Sequence, residues 1–292
     1  MDDSTRRSLV GTLVATLLGA LVAWAASDGS VTVGSVPVFA IVGALAFAVN
    51  WVAFIPANAA KTEHFYDLTG SITYLSVTIV ALLLSDAPDL RAWIVAAMVV
   101  VWAVRLGSFL FRRVRKDGGD GRFDQIKLDP LRFFMTWTIQ GLWVLFTAAA
   151  ALAVITSGDR ADLGWVAFVG IAVWVVGFVV EVVADRQKSA FRADPANKGK
   201  FIATGLWAWS RHPNYFGEIT LWLGIAIIAL PLLDGWRWVV LISPVFVWAL
   251  ITRVSGVPML ERRADEKWGG DEDYEAYKAS TPVLMLKPPT KG

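Results

Sequence analysis

The sequence contains no cysteine, which removes disulfides and thiolate metal sites from consideration. Charge is scarce too: 18% of residues are Asp, Glu, Lys or Arg, where a soluble domain carries about a quarter. The net charge is only +2. Basic clusters beside apolar stretches therefore read as topology signals and contacts with anionic membrane lipids, and no nucleic-acid partner is expected. There is no internal repeat, no linker long enough to separate a pair of domains, and no set of metal ligands. The first apolar run resembles a signal-peptide core, but no small-residue cleavage site precedes a soluble mature domain, so it is read as a retained helix.

What the sequence has in quantity is long apolar runs. Six are Leu9 to Ala26, Val36 to Ile55, Leu68 to Leu84, Ala92 to Phe111, Phe133 to Ile155 and Leu163 to Val183. Two shorter ones, Phe216 to Leu233 and Val239 to Ile251, are separated only by Asp234 to Trp238. Most approach the roughly 20 residues that a helix needs to cross the hydrocarbon layer. There the backbone must satisfy its own hydrogen bonds, so helices are the expected form. The fold class is an all-α integral membrane bundle of about eight spans. Loop charge agrees: with Met1 inside, 23 of the 27 basic residues fall on the inner side. The outer loops hold only Arg91, Arg160 and Arg237, and Arg105 lies within a span. Both termini are thus expected in the cytoplasm.

Residues 1–292 read as one membrane domain, with 1–34 an extra N-terminal helix, 35–254 the helical core and 255–292 a cytoplasmic tail. Asp117-Gly-Gly-Asp-Gly-Arg122 reads as a mobile loop. The tail, with mixed charges and interleaved aromatics, suggests a short surface helix. Of the 15 tryptophans, Trp51, Trp93, Trp207, Trp236 and Trp238 read as interface anchors. Trp102, Trp137 and Trp143 lie deeper, where they line a pocket or simply pack.

Ionisable and amide groups in or beside spans suggest function, because they are costly there. Glu63, Tyr66, Asp67 and Gly70 share one face if the third helix starts early enough. A carboxylate and a phenol so placed can pass a proton to a substrate carbonyl. The alternative is helix capping by Thr62 with acidic residues in the first turn. Trp102 and Arg105 are one turn apart in the fourth span, and Asp67 is a candidate partner for Arg105. Gln140, near the middle of the fifth span, bonds either a ligand or another helix.

The richest stretch runs from Glu181 through Asp185, Arg192 and Lys200 to Arg211-His-Pro-Asn-Tyr-Phe-Gly-Glu218. It offers cations for phosphates, carboxylates for ribose hydroxyls, an amide and stacking aromatics. Any single cation here also fits the positive-inside pattern. The intact string does not reduce to that, since Pro213 and Gly217 shape the backbone while polar and aromatic side chains crowd the entry to a span.

At this string the chain resembles the steroid 5α-reductase superfamily, particularly its bacterial multi-pass branch. Sterol Δ14-reductases carry a similar signature. The likeness is strongest from about Glu181 to Leu223 and weaker from Thr62 to Gln140. It implies a seven-helix reductase core preceded by an extra helix, in a bacterial inner membrane. It also implies an NADPH-dependent enzyme that passes a hydride to the activated C=C of a steroid-like or other lipophilic enone. By position, Asp185, Arg192, Asn214 and Glu218 resemble cofactor-contacting residues, along with Gln140, Lys200, Arg211, His212 and Tyr215. Asp67 falls near the family's catalytic carboxylate and Trp102 near its catalytic tyrosine. Tyr66 then takes the phenol role, with Arg105 beside them. Glu181 stands where the steroid enzymes have an amide, and Lys200 where they have an arginine. Membrane isoprenylcysteine and phospholipid methyltransferases share an Arg-His-Pro-x-Tyr string and bind S-adenosylmethionine, so they form the alternative. Here an acid, Glu218, directly follows Gly217, as in the reductases. A transporter is the third reading, but the breakers Pro213 and Pro258 lie at the inner face rather than at mid-membrane.

Overall fold

The computed structural model of the chain describes residues 3–117 and 120–289. Eight of its helical segments are long and apolar enough to cross a membrane. The first seven contain α1 (Asp3–Ala26), α2 (Val38–Ala60), α3 (Tyr66–Leu84), α4 (Leu90–Asp117), α5 (Pro130–Ile155), α6 (Trp165–Ala193) and α7 (Pro213–Ala229). The eighth is composite. A 3-10 turn over Gly235–Leu241 leads into α8 (Ile242–Ala249), then a π-helical turn over Leu250–Val254, then α9 (Val257–Trp268). A last helix, α10 (Glu272–Ser280), follows. Apart from a small hairpin of β1 (Thr32–Val33) and β2 (Val36–Pro37), this is an all-α integral membrane protein. Its outward positions are apolar, as lipid contact requires: Leu13, Leu17 and Leu21 on α1, and Phe168, Val176 and Val179 on α6, are all exposed.

The chain divides into two compact units, Met1–Ala167 with Ile228–Ser243, and Phe168–Ile227 with Pro244–Gly292. In unit one, α5 is the buried centre. Every residue from Gln140 to Ile155 except Trp143 is buried, and α1, α2, α3 and α4 all pack on it. Gly141 makes this possible, because a Cβ there would come within 3.1 Å of the Ala46 carbonyl and the Phe47 Cα. The start of α5 is set by Asp129, whose carboxylate accepts the N–H groups of Leu131 and Arg132 while Pro130 occupies the first turn.

Two arginines that the sequence places in outer loops are buried rather than solvated, Arg91 in the first turn of α4 and Arg237 in the 3-10 turn. Arg91 donates to the carbonyls of Ile228 and Asp162. Arg237, 1% exposed, donates through Nε to Asp28 O at 2.7 Å and through Nη1 to Leu232 O at 2.6 Å and Asp159 Oδ2 at 3.1 Å.

The segment after α4 departs from the sequence expectation. Gly118 and Gly119 lie outside the described residues, but 120–129 is anchored rather than mobile. Phe123 enters an aromatic cluster with Phe133, Trp137 and Tyr66, and Glu63 holds the segment's backbone. The carboxylate of Glu63 accepts the Asp120 N–H at 3.0 Å and pairs with Lys127 Nζ at 2.8 Å.

In the second unit, α6 and α7 meet through glycines at seven-residue spacing. A Cβ on Gly177 would lie 2.5 Å from Leu221 N, and one on Gly217 would lie 2.6 Å from Glu181 N. One on Gly224 would lie 2.6 Å from Trp174 N and 2.7 Å from Gly170 O. The backbones therefore touch along an antiparallel seam of small residues, as membrane helices do when dispersion rather than the hydrophobic effect drives their association.

Candidate functional site

Around the Arg211–Glu218 string, backbone hydrogen bonds fix the geometry before any side chain is considered. The His212 carbonyl accepts the Phe216 N–H and opens α7, and Pro213 supplies a first residue with no N–H to satisfy. Ser210 Oγ accepts the His212 N–H at 3.1 Å and donates to Leu284 O at 2.9 Å. The Arg211 N–H donates to Pro282 O at 2.9 Å, and the Lys287 N–H to Trp209 O at 3.0 Å. The C-terminal segment thus clasps the string from outside.

The connector after α6 is fastened in the same way. Trp207 Nε1 donates to Ala184 O at 3.0 Å, and Tyr277 Oη to Trp207 O at 2.7 Å. Gly205, at φ +62, lies against the Gln187 amide, whose Oε1 accepts the Leu206 N–H. Trp207 is therefore a buried strut and not an interface anchor. Trp93, Trp236 and Trp238 are exposed, as anchors would be.

Beside these fastenings opens a cavity of about 310 Å³. Lys188 and Arg192 of α6 line it, with Arg211 and His212 of the string and Glu261, Arg263 and Lys267 of α9. Phe201, Trp207, Trp268, Tyr274 and Tyr277 add aromatic walls. Five of these side chains are cationic at neutral pH, one is histidine, and Glu261 is the one carboxylate among the lining residues. Lys188 Nζ sits 4.5 Å over the Trp207 ring. The His212 and Tyr215 rings stack at 5.6 Å, and Tyr215 lies against Gly256. Burial pushes the Tyr277 phenol well above its ordinary value, so it remains a proton-bearing donor.

Two polar groups in this wall have unused capacity. His212 is 5% exposed; its Nε2 is 2.7 Å from Glu261 Oε1, and its Nδ1 has no partner among the described residues. The Arg211 side chain is 12% exposed, and its Nη1 lies 2.6 Å from Glu261 Oε2, close enough for an ion pair but without hydrogen-bond alignment. Arg211 Nε likewise has no partner among the described residues. Burial first, then the nearby Lys188 and Arg211 charges, lower the His212 pKa. Glu261 opposes them without prevailing, so the ring is neutral at pH 7. A buried donor on Arg211 and a buried acceptor on His212 left over in this way suit an incoming polar ligand.

Of the expected cofactor residues, Arg192, Arg211 and His212 line the cavity. Asp185 is buried on α6 three residues before Lys188. Asn214, Tyr215 and Glu218 are half-buried on the first turns of α7, and Lys200 is exposed; none of these five is a lining residue. The cavity residues that sequence reasoning left out are chiefly those of α9 and α10.

Gln140, Tyr66, Asp67, Trp102 and Arg105 belong to unit one. Helix α3 starts only at Tyr66, so Glu63 precedes it and does not share its face; Glu63 instead holds the 120–129 segment. Thr62 accepts the His64 N–H and does not cap α3. Tyr66 Oη donates to Thr136 O at 3.0 Å. Gln140 Nε2 donates to Tyr66 O at 3.1 Å, tying α5 to α3, while its Oε1 has no partner among the described residues. Trp102 is buried and packs edge-on to Tyr74 at 5.1 Å. Asp67 and Arg105 are half-buried. Among the described residues, no group of three or more His, Cys, Asp or Glu could hold a metal.

A family described as a protein of unknown function (DUF1295) matches residues 53–281. The chain belongs to that family. Curated relatives of this DUF1295 protein point to two chemistries. An uncharacterized protein of Schizosaccharomyces pombe is 26% identical over 46% of this chain and 46% of its own length. A probable O-methyltransferase of Ustilaginoidea virens is 30% identical over 42% of this chain and 41% of its own. The Delta(14)-sterol reductase of Saccharomyces cerevisiae is 33% identical over 38% of this chain and 27% of its own. The chain thus spans less than half the length of each of these relatives. No solved structure matches.

Proposed function

We propose that this protein is an NADPH-dependent membrane reductase acting on a carbon–carbon double bond conjugated to a carbonyl in a lipophilic substrate. The observation that carries the reading is the cavity wall, where Lys188, Arg192, Arg211, Arg263 and Lys267 face one space beside five aromatic rings. NADPH brings a pyrophosphate, a further phosphate and two flat bases. Guanidinium and ammonium groups recognise the former, and aromatic faces the latter. When bound, NADPH supplies the hydride. The chain's own part is to hold the nucleotide and to provide a proton donor. By the resemblance to the steroid reductases that donor is Asp67 or Tyr66, and Trp102 can offer only an indole N–H.

A second reading, a membrane methyltransferase using S-adenosylmethionine, draws on the likeness to a probable O-methyltransferase. Charge argues against it. S-adenosylmethionine carries a sulfonium cation and no phosphate, and the cavity has five cations against one carboxylate. The experiment is to purify the full chain in detergent and identify the nucleotide that co-purifies or that raises its melting temperature. NADP(H) supports the reductase reading, and retention of S-adenosylmethionine in its place overturns it.

A further inference from the structure

Glu261 is out of character with its surroundings. It is the one acid in a cavity wall of cations, and it occupies the point where the two string residues would grip an anion. Its two oxygens go to different partners, Oε2 to Arg211 Nη1 at 2.6 Å and Oε1 to His212 Nε2 at 2.7 Å. That is how a phosphate would sit, with one oxygen on a guanidinium and a second on an imidazole N–H. The helix that carries it, α9, is exposed along much of its length. Arg211 Nε and His212 Nδ1 remain without partners among the described residues.

We propose that Glu261 is an internal stand-in for a ligand phosphate, holding Arg211 and His212 together until a phosphate-bearing ligand displaces it. This rests on the reading of the cavity as a phosphate-binding site, but not on the ligand being NADPH. Displacement makes Glu261 a specificity-determining residue. A weak monoanion competes poorly with a carboxylate already seated on both partners, whereas a pyrophosphate brings enough charge to take its place. The neutral His212 ring, with Nε2–H turned to the incoming oxygen, keeps Nδ1 as an acceptor for a ligand hydroxyl.

The test uses the full-length protein in detergent, titrated calorimetrically with inorganic pyrophosphate and, separately, with NADPH. Wild type is compared with Glu261→Gln and with Glu261→Asp, whose shorter arm spans both partners less well. Removing the competitor should tighten pyrophosphate binding on the order of tenfold in Glu261→Gln, the equivalent of losing one charge-assisted contact that the ligand must break. Glu261→Asp should show a smaller gain, and serves alone if the glutamine variant does not fold. Unchanged or weaker pyrophosphate binding in both variants overturns the proposal, because Glu261 would then be orienting Arg211 rather than competing for it. Weaker NADPH binding with unchanged pyrophosphate binding also overturns it, and makes Glu261 a partner of ligand hydroxyls. Tighter pyrophosphate binding with no NADPH binding in any form upholds the displacement and instead removes the dinucleotide reading.

Discussion

Arg237 is buried and Arg211 largely so, one in each unit, and their surroundings differ. Arg237 is surrounded by acceptors, and its guanidinium fills space left by a glycine. A Cβ on Gly29 would lie 1.6 Å from Nη2. Arg211 has one anionic neighbour and borders a cavity of about 310 Å³. The first arginine closes a structure, and the second waits on something. Burial of a cation is thus not by itself a sign of function, and neither is an unmatched donor, since Arg237 Nη2 also has no partner among the described residues; the unfilled volume beside Arg211 is what distinguishes the two cases.

Mutation separates the two arginines. Arg237→Met strips the donor from three backbone or carboxylate acceptors, so it should cost about 3 kcal/mol or more in unfolding measurements in detergent. Arg211→Gln, which loses one ion pair, should cost less stability than Arg237→Met while weakening nucleotide binding by about tenfold or more. The reverse pattern would exchange the roles assigned to the two residues. Gly217→Ala pushes a methyl into the α6 backbone and should cost about 1–3 kcal/mol, whereas Gly164→Ala, with open space around it, should fall within about 0.5 kcal/mol of wild type. Equal effects would mean that the α6–α7 seam can yield.

The smallest effect is on pH dependence. His212 has a folded pKa below its unfolded value of 6.5, so the unfolded state binds the proton more readily. The stability that neutral His212 contributes is complete above pH 6.5 and is lost as pH falls from there through the lower folded value. In unit one the same sign holds further down. Burial alone would raise the Glu63 pKa, but the hydrogen bonds from Lys127 and the Asp120 N–H outweigh it and keep the carboxyl below 4.5. Its contribution is complete above pH 4.5 and is lost as pH falls through the lower folded value. Unfolding of wild type and His212→Gln followed from pH 7.5 to 5 should converge towards the acid end. Parallel curves would leave His212 without a role in the pH dependence.

The spans were legible because an apolar run of the right length has little choice of structure in lipid, and α1 to α7 lie close to where the runs place them. The eighth was harder. Its 3-10, α and π turns follow one another without any composition signal, and α9 reads in sequence as an ordinary charged surface helix. That is also why only a small part of the cavity could be foreseen. Arg192, Arg211 and His212 stood out within one stretch, while Glu261, Lys267 and Trp268 are about fifty residues further on and meet them only through folding. Glu63 misled because its spacing to Asp67 suits a helix face, but α3 starts too late for that spacing to apply. The glycines at 170, 177, 217 and 224 carried a signal too, since a seven-residue interval on two adjacent spans is the signature of a close seam.

The most direct measurement is fluorescence titration of NADPH into the purified full-length protein, wild type beside Arg211→Gln, with S-adenosylmethionine as competitor. Saturable binding to wild type is expected, weakened by about tenfold or more in the variant and unaffected by the competitor. Binding as tight in Arg211→Gln as in wild type, or binding that S-adenosylmethionine displaces, would contradict the reading of this cavity as a phosphate-gripping nucleotide site.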